Sequence, residues 1–509
     1  MSELYRKSFD IDVHHPVQWP PRAAERPREQ RGGAVVGFAT TEAVVGIDVG
    51  STEIKALVAD LSGVTLSVRR TATDWHRCAG GGSELPVDAL LDRVLSALSG
   101  AVRVAEESAR RLTVVGVAIT GMAESGVLLD RNRDPLHPVI AWFDQRGVEE
   151  LALLPDELVD SFSGHTGLPL SPLCSFAKLN WLAAQGISPH LTEKWLNVPE
   201  LVAAALGGEA VTEPSLASRT GLLDQGTRGP WEPAFQQLGL PTSALPPLTT
   251  AGTPIGRVDH PGVPDAVRGA VITVAGHDHP VASVASGVWH GEHLFDSCGT
   301  SEAVLRVVSA PLRDDQRRRL TANGVAQGAH VLPDRWILLG GTRGGLLLDR
   351  VLALLGRQDQ RARAELDEQA LASHGSTGSV VISGAHARSE DVSVQLVGSD
   401  VTPLTTWSAA LDHAMAETDA VIELMSAEAG PHEHVTAAGG WTRMRSFRAA
   451  KQRSLPAVEY ARVDQPSAYG AALFAAQAAR SAAGETGVSA VDIARQFSGN
   501  TLTTAGVQL

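Results

Sequence analysis

Two aspartates stand where this chain could do chemistry. Asp48 ends the apolar run 44–49, and Gly50, Ser51 and Thr52 follow at once. A second apolar run, 54–58, resumes immediately, so VVGIDVGSTEIKALVAD (44–60) predicts a tight antiparallel hairpin. Glycine lets backbone approach a ligand closely, and exposed amides beside hydroxyls suit phosphate oxygens. A carboxylate at that strand end could hold Mg2+, directly or through water. The alternative is an ordinary hairpin whose Asp and Thr serve the turn alone. The second aspartate, Asp278, follows the buried-type run 271–276 and is flanked by His277 and His279, with Pro280 opening a helix. An Asp at a strand-to-helix junction lies where ligands usually meet an α/β sheet. The two histidines, at i and i+2, also permit a metal reading, as do His432 and His434 around Glu433. Neither pair shows a third ligand nearby, which argues against a structural zinc site.

The opening hairpin has a partial echo about 250 residues later. In the run 294–308, Asp296, Gly299, Thr300, Ser301 and Glu302 repeat Asp48, Gly50, Ser51, Thr52 and Glu53, with one extra residue between Asp and Gly. Two phosphate-type hairpins, one in each half, imply two domains facing each other across a nucleotide cleft.

The elements that must position these residues are of mixed type. Residues 64–71 read as a third strand, 86–110 as an amphipathic helix, and LTVVGVAIT (112–120) as a strand buried on both faces. That mixture is an α/β layer architecture. Trp142, Asp144 and Arg146 alternate and would share one face of an extended segment, either as a wall for a polyhydroxylated ligand or as a half-buried Trp beside an ion pair. Residues 147–210 read as helices, and 212–262, rich in Pro, Gly and Thr, as an irregular excursion. Gly340-Gly341 and Gly439-Gly440 follow short strands and precede helices, which suits a purine or phosphate and equally suits plain strand–helix packing. An Ala-rich helix over 468–482 closes the fold, and the tail beyond carries little signal.

At 509 residues the chain exceeds one core. A formal charge of −14 argues against nucleic acid or an anionic membrane as the main partner. Cys78, Cys174 and Cys298 are too scattered for a disulfide framework, and a reducing cytoplasm fits best. No run reaches the length of a membrane helix. Residues 1–40 mix proline with arginine and read as a loosely ordered extension, an arm or an overlong start. No G-x-x-x-x-G-K-[ST] occurs, which excludes a P-loop kinase at the level of motif.

Taken in order, IDVGSTEIK (47–55), WFDQR (142–146), AGHDH (275–279), DSCGTSE (296–302) and AAGGWTR (437–443) resemble the FGGY carbohydrate kinases, over about 44–480. The resemblance implies two ribonuclease-H-like (actin-like ATPase) domains, 41–286 and 287–482, around a central nucleotide/sugar cleft, followed by a tail, 483–509. It implies ATP and Mg2+ as cofactors and a small carbohydrate as substrate, with a homodimer left open. Asp48, Gly50, Ser51, Thr52 and Lys55 would form the first phosphate loop, with Asp48 on the magnesium side. Gly299, Thr300 and Ser301 would form the second, and Gly340, Gly341, Gly439 and Gly440 would flank the nucleotide. Asp278 would be the base that accepts the proton of the attacking hydroxyl. Ala123, Glu124, Trp142, Asp144 and His279 fall on substrate-binding segments. Glu124 stands where ketose-kinase relatives often carry His, His279 stands in place of a common Asn or Gln, and the signature near 380–392 is blurred. An ATP-dependent protein clamp of the same fold, or a silent sugar-binding relative, is the competing function.

Overall fold

Two six-stranded sheets frame the protein, and they share the order of five strands, the sixth lying at opposite edges. The computed structural model describes residues 40–504 apart from 79–80, 109–110, 188–190, 292, 373–376, 386–390 and 456. The extension up to residue 39, and part of the blurred signature, lie outside the described residues.

The first sheet runs Gly256–Arg257, Val271–His277, Leu112–Gly121, Thr41–Val49, Glu53–Asp60, Thr65–Ala72. The second runs Val458–Tyr460, His434–Ala438, His293–Cys298, Glu302–Val308, Trp336–Thr342, Ala326–Ala329. In each, the hairpin's first strand pairs antiparallel with its second and parallel with a strand from much later in the chain: 41–49 beside 112–121, and 293–298 beside 434–438. The echo in residue types is therefore a repeat of topology. The strand 112–121 is flanked by parallel neighbours and covered on both faces, which is why it reads as an almost unbroken apolar run.

The helices Val87–Ser108 and Val198–Ala205 cover one face of the first sheet. The other face is covered from the far end of the chain. The helix Pro466–Ala482 lies so close that a Cβ on Gly46 would stand 1.9 Å from the Ala468 carbonyl oxygen, and one on Gly116 would stand 2.4 Å from that of Ala475. Glycine on the strands and alanine on the helix permit this backbone-to-backbone approach. Residues 466–482, placed in the second domain by the sequence reading, pack on the first sheet. The stretch after residue 482 contains the helix Ala490–Thr504, whose Ala490, Ile493, Ala494 and Phe497 join the same buried cluster. Their spacing (i, i+3, i+4, i+7) is a helical face.

The second sheet packs on the helices Gly344–Leu354, Pro403–Ala429 and Arg445–Ser454, through Leu348, Val351, Trp407, Met425 and Phe447. A further core, with Phe162, Phe176, Trp195, Trp231 and Phe235, consolidates the short helices between residues 156 and 238. Among the described residues no helix is long and apolar enough to cross a membrane.

Candidate active site

The first hairpin places Asp48 opposite Lys55 across the strand pair, with Lys55 Nζ 3.3 Å from Asp48 Oδ2. Burial pushes the Asp48 carboxyl up to about 6 even though the Lys55 charge pulls it down, and Asp278 nearby adds to the rise. Asp48 Oδ1 is buried with no hydrogen-bond partner among the described residues. The bend itself is anchored from behind. The Gly50 carbonyl accepts from Thr73 Oγ1 (2.7 Å), that of Ser51 from Trp75 Nε1 (2.8 Å), and that of Thr52 from the Thr73 amide (3.0 Å).

Asp278 is the first residue of the helix Asp278–Ala285, just past the strand Val271–His277. The turn into it needs Gly276, at φ 109°, because a Cβ there would stand 2.7 Å from both Glu213 Oε2 and Ser215 Oγ. Thr120 Oγ1 donates to the Gly276 carbonyl (2.7 Å), and the His277 amide donates to Ser215 Oγ (2.9 Å). One carboxylate oxygen, Asp278 Oδ1, meets both histidines: His279 Nδ1 at 2.6 Å and His277 Nε2 at 3.2 Å. Burial opposes ionisation of Asp278, but the charge and hydrogen bond of His279 outweigh it and hold the carboxyl well below its ordinary range. Burial works against the charged His279 ring as well, yet Asp278 raises it above its ordinary value. Burial, helped by the charges of His279 and Arg219 and opposed by Asp278, drives His277 down to about 3, so that ring is neutral.

The ligand atoms of His277, Asp278 and His279 lie within 4.8 Å of one another, which is metal-like spacing. A metal-bound imidazole donates its other N–H to a partner. Among the described residues His277 Nδ1 is buried without one, so giving Nε2 to a metal would strand a proton. The cluster is built as a hydrogen-bonded carboxylate. In the second such group, Asp296, Cys298 and Glu302, the Lys451 ammonium already bonds both carboxylates.

Two cavities meet at Asp278. One, of about 350 Å³, is lined by Asp48, Gly50, Ser51, Thr52 and Lys55 from the first hairpin, by Ser297 and Thr300 from the second, and by Ser467. The other, of about 770 Å³, is lined by Trp75, Ala123, Glu124, Trp142, Phe143 and Arg219, and by Ser301, Gly340 and Gly341 from the second half. Ser51, Thr52, Asp278, His279 and Thr300 line both. A bipartite cleft floored by a carboxylate and walled by two hydroxyl-bearing bends offers donors for phosphate oxygens on one side and room for a second ligand on the other. Residues 43–285 match the model of the FGGY family of carbohydrate kinases, N-terminal domain. This match and the kinases to which the chain is similar support an FGGY carbohydrate kinase.

The chain is 27% identical to the xylulose kinase of Streptomyces rubiginosus over 444 residues, covering 85% of this chain and 87% of the relative. It is 26% identical to the L-fuculokinase of Salmonella typhi, over 52% of this chain and 56% of that one. Among solved structures it resembles Plasmodium falciparum glycerol kinase with ADP (TM-score 0.79, 17% identity, 92% of this chain and 97% of that one). It also resembles the xylulose kinase of Rhodospirillum rubrum (TM-score 0.75, 19% identity, 91% and 99%). The fold is the actin-like ATPase fold, with two sheet-containing domains.

Not every residue singled out in this FGGY kinase reaches the cleft. Asp144 is buried in a hub, where its carboxylate accepts from the Ser83 amide (2.7 Å) and from the Arg146 amide and guanidinium, while Arg146 also bonds Glu84. It lines neither cavity, because residues 141–147 turn instead of continuing the two-residue strand Val139–Ile140. Gly340 and Gly341 do line the larger cavity, but within the strand Trp336–Thr342 and not at a helix start. Gly299, Gly439 and Gly440 line neither cavity. Gly439, at φ 112°, packs so tightly that a Cβ would stand 2.5 Å from the Cys298 carbonyl oxygen, and one on Gly345 would stand 1.9 Å from that of Gly299. These glycines bring the second hairpin against its neighbouring helix starts.

The kinase's site also uses residues that carry no motif. Arg219 turns Nε (2.6 Å) and Nη2 (2.5 Å) onto Glu124 Oε1, and Glu124 itself is held at φ 62°, a left-handed conformation uncommon outside glycine. Trp75, Ser467 and the Glu213–Ser215 pair behind the Asp278 turn complete the list.

Proposed function

We propose that this kinase moves the γ-phosphoryl group of ATP onto a hydroxyl of a small, uncharged sugar or sugar alcohol, with Asp278 as general base. The observation that carries the reading is that Asp278 lines both cavities, the one walled by the two hairpin bends and the one walled by Trp142, Phe143 and Glu124. The acceptor hydroxyl attacks the γ-phosphorus as the bond to the ADP oxygen breaks, and its proton passes to the Asp278 carboxylate. The transition state of such transfers is loose, so the base acts late and mainly orients the attack. Ser51, Thr52 and Lys55 on one side, and Thr300 and Ser301 on the other, hold the phosphates. Ala123, Glu124, Trp142 and His279 face the acceptor. A sugar acid fits less well than a neutral polyol, because Arg219 and His279 are each committed to a carboxylate already. A screen of ADP release over ketoses, polyols and aldonates tests the assignment: turnover with a ketose or polyol is expected, and no turnover with any carbohydrate overturns it.

Asp48 fits a magnesium role, since its Oδ1 is a buried carboxylate oxygen with no hydrogen-bond partner among the described residues. Mg2+ there would neutralise charge on the phosphate oxygens. The elevated pKa gives this a pH signature. Asp48 takes up a proton as pH falls through about 6. The half-saturating Mg2+ concentration is therefore expected to rise as pH is lowered from about 7.5 to about 5.5, since a protonated carboxyl is a poor ligand for a hard cation. Asp48→Asn is expected to weaken Mg2+ at every pH and to flatten the profile. A profile that keeps its slope in Asp48→Asn would sink the assignment.

A further inference from the structure

We infer that Trp75 is a positioning residue that couples the acceptor cavity to the first phosphate hairpin. The inference rests on the kinase reading and adds a residue with no motif of its own. Trp75 follows the third strand, Thr65–Ala72, where the chain leaves the sheet and crosses behind the bend. There, Thr73 and Trp75 between them hold three consecutive carbonyls, those of Gly50, Ser51 and Thr52. The indole is therefore one of two side chains fixing the backbone on which the phosphate-facing Ser51 and Thr52 are mounted.

The same indole belongs to the wall of the larger cavity. It meets Phe143 edge-to-face at 5.8 Å, and Phe143 meets Trp142 the same way at 5.6 Å. All three rings line that cavity. A ligand packed on this wall restricts Trp75, and through its N–H it restricts the Ser51 carbonyl. Thr73 is fully buried and Trp75 half-buried, so the strap is part of the folded body and not a surface contact. Sites joined this way must influence each other equally in both directions.

The test uses the full chain and separates the indole N–H from the ring. Trp75→Phe keeps an aromatic wall and loses the donor. Thr73→Val loses its hydroxyl at near-constant volume, whereas Thr73→Ser keeps it. Calorimetric titration with MgADP alone, requiring no acceptor, is expected to show affinity about fivefold weaker in Trp75→Phe and in Thr73→Val, the effect of about one lost hydrogen bond. Thr73→Ser is expected to match the wild type. In steady-state assays with the acceptor found by the screen, Trp75→Phe is expected to lower kcat while the acceptor KM stays within about twofold, as befits a lost positioning contact. The acceptor is also expected to tighten MgADP in the wild type and to lose that effect in Trp75→Phe. Unchanged MgADP affinity in Trp75→Phe, or a defect confined to the acceptor KM, overturns the inference. Absence of any phosphorylated acceptor overturns the kinase reading instead, and the MgADP comparison still decides whether Trp75 holds the hairpin.

Discussion

Asp278→Asn is expected to lower kcat by ~10²–10⁴, the range for removing a positioned general base. The amide is nearly isosteric, and its oxygen can still accept from His279 at the place Asp278 Oδ1 now occupies. The turn behind it does not depend on the carboxylate, because Thr120 and Ser215 hold the Gly276 carbonyl and the His277 amide. Thermal stability and MgADP affinity should therefore stay close to wild type while turnover collapses. A second observable follows from Asp48. Asp278 is one of the groups that raise the Asp48 pKa, so removing its charge should move the pH dependence of Mg2+ affinity to lower pH. A variant that retains full turnover would show that Asp278 is not the base. One that loses turnover together with nucleotide binding would show that its role is structural. Only the selective loss, joined to the shifted profile, fits a base set between the two cavities.

The hairpins, the long helix at 87–108 and the buried strand at 112–121 were legible because each writes a periodicity into contiguous residues. Asp48, Ser51, Thr52, Asp278 and Thr300 were legible for a related reason: each lies at the end of such an element, where a polar type interrupts an apolar run. Arg219, Glu213 and Ser215 were not, since they come from the irregular excursion, where no period marks which side chains turn inward. Trp75 looks like the ragged end of a strand until its N–H is seen on the Ser51 carbonyl. The alternation read at Asp144 falls in a segment that turns, and the five hydrogen bonds its carboxylate accepts explain why the residue type is what it is. The helix 466–482 was visible as a helix, but its partner was not. Only the close approach at Gly46 and Gly116 shows that the chain returns to its first sheet.

Lys451→Met is expected to destabilise the protein by about 3–5 kcal/mol, the cost of breaking a buried ion pair by removing one partner. Lys451 is fully buried and bonds Asp296, also fully buried, and Glu302 Oε1 at 2.7 Å. Glu302 Oε2 accepts from Thr342 Oγ1 and Thr418 Oγ1, both at 2.8 Å, so with Lys451 three separate segments converge on one carboxylate. Burial works against the ammonium, yet Asp296 and Glu302 together hold it well above its ordinary pKa. Without it, two carboxylates face each other in an apolar core, and one Asp296 oxygen already lacks a partner. The urea midpoint should fall accordingly, and Lys451→Met combined with Asp296→Asn and Glu302→Gln should recover part of the loss, because the uncompensated charge goes with it. An unchanged midpoint in Lys451→Met would mean the triad is no strut. The comparison with Asp48 gives the result its meaning. Asp296 is the counterpart of Asp48 in the repeat, but Lys55 is 23% exposed and leaves Asp48 open to the cleft. Partly exposed pairs of that kind contribute about 0–1 kcal/mol, so Lys55→Met should barely move the midpoint and should instead weaken nucleotide binding. The two hairpins thus spend the same residue type differently: the second half seals its aspartate to fix a sheet to its helices, and the first leaves its own available to a ligand.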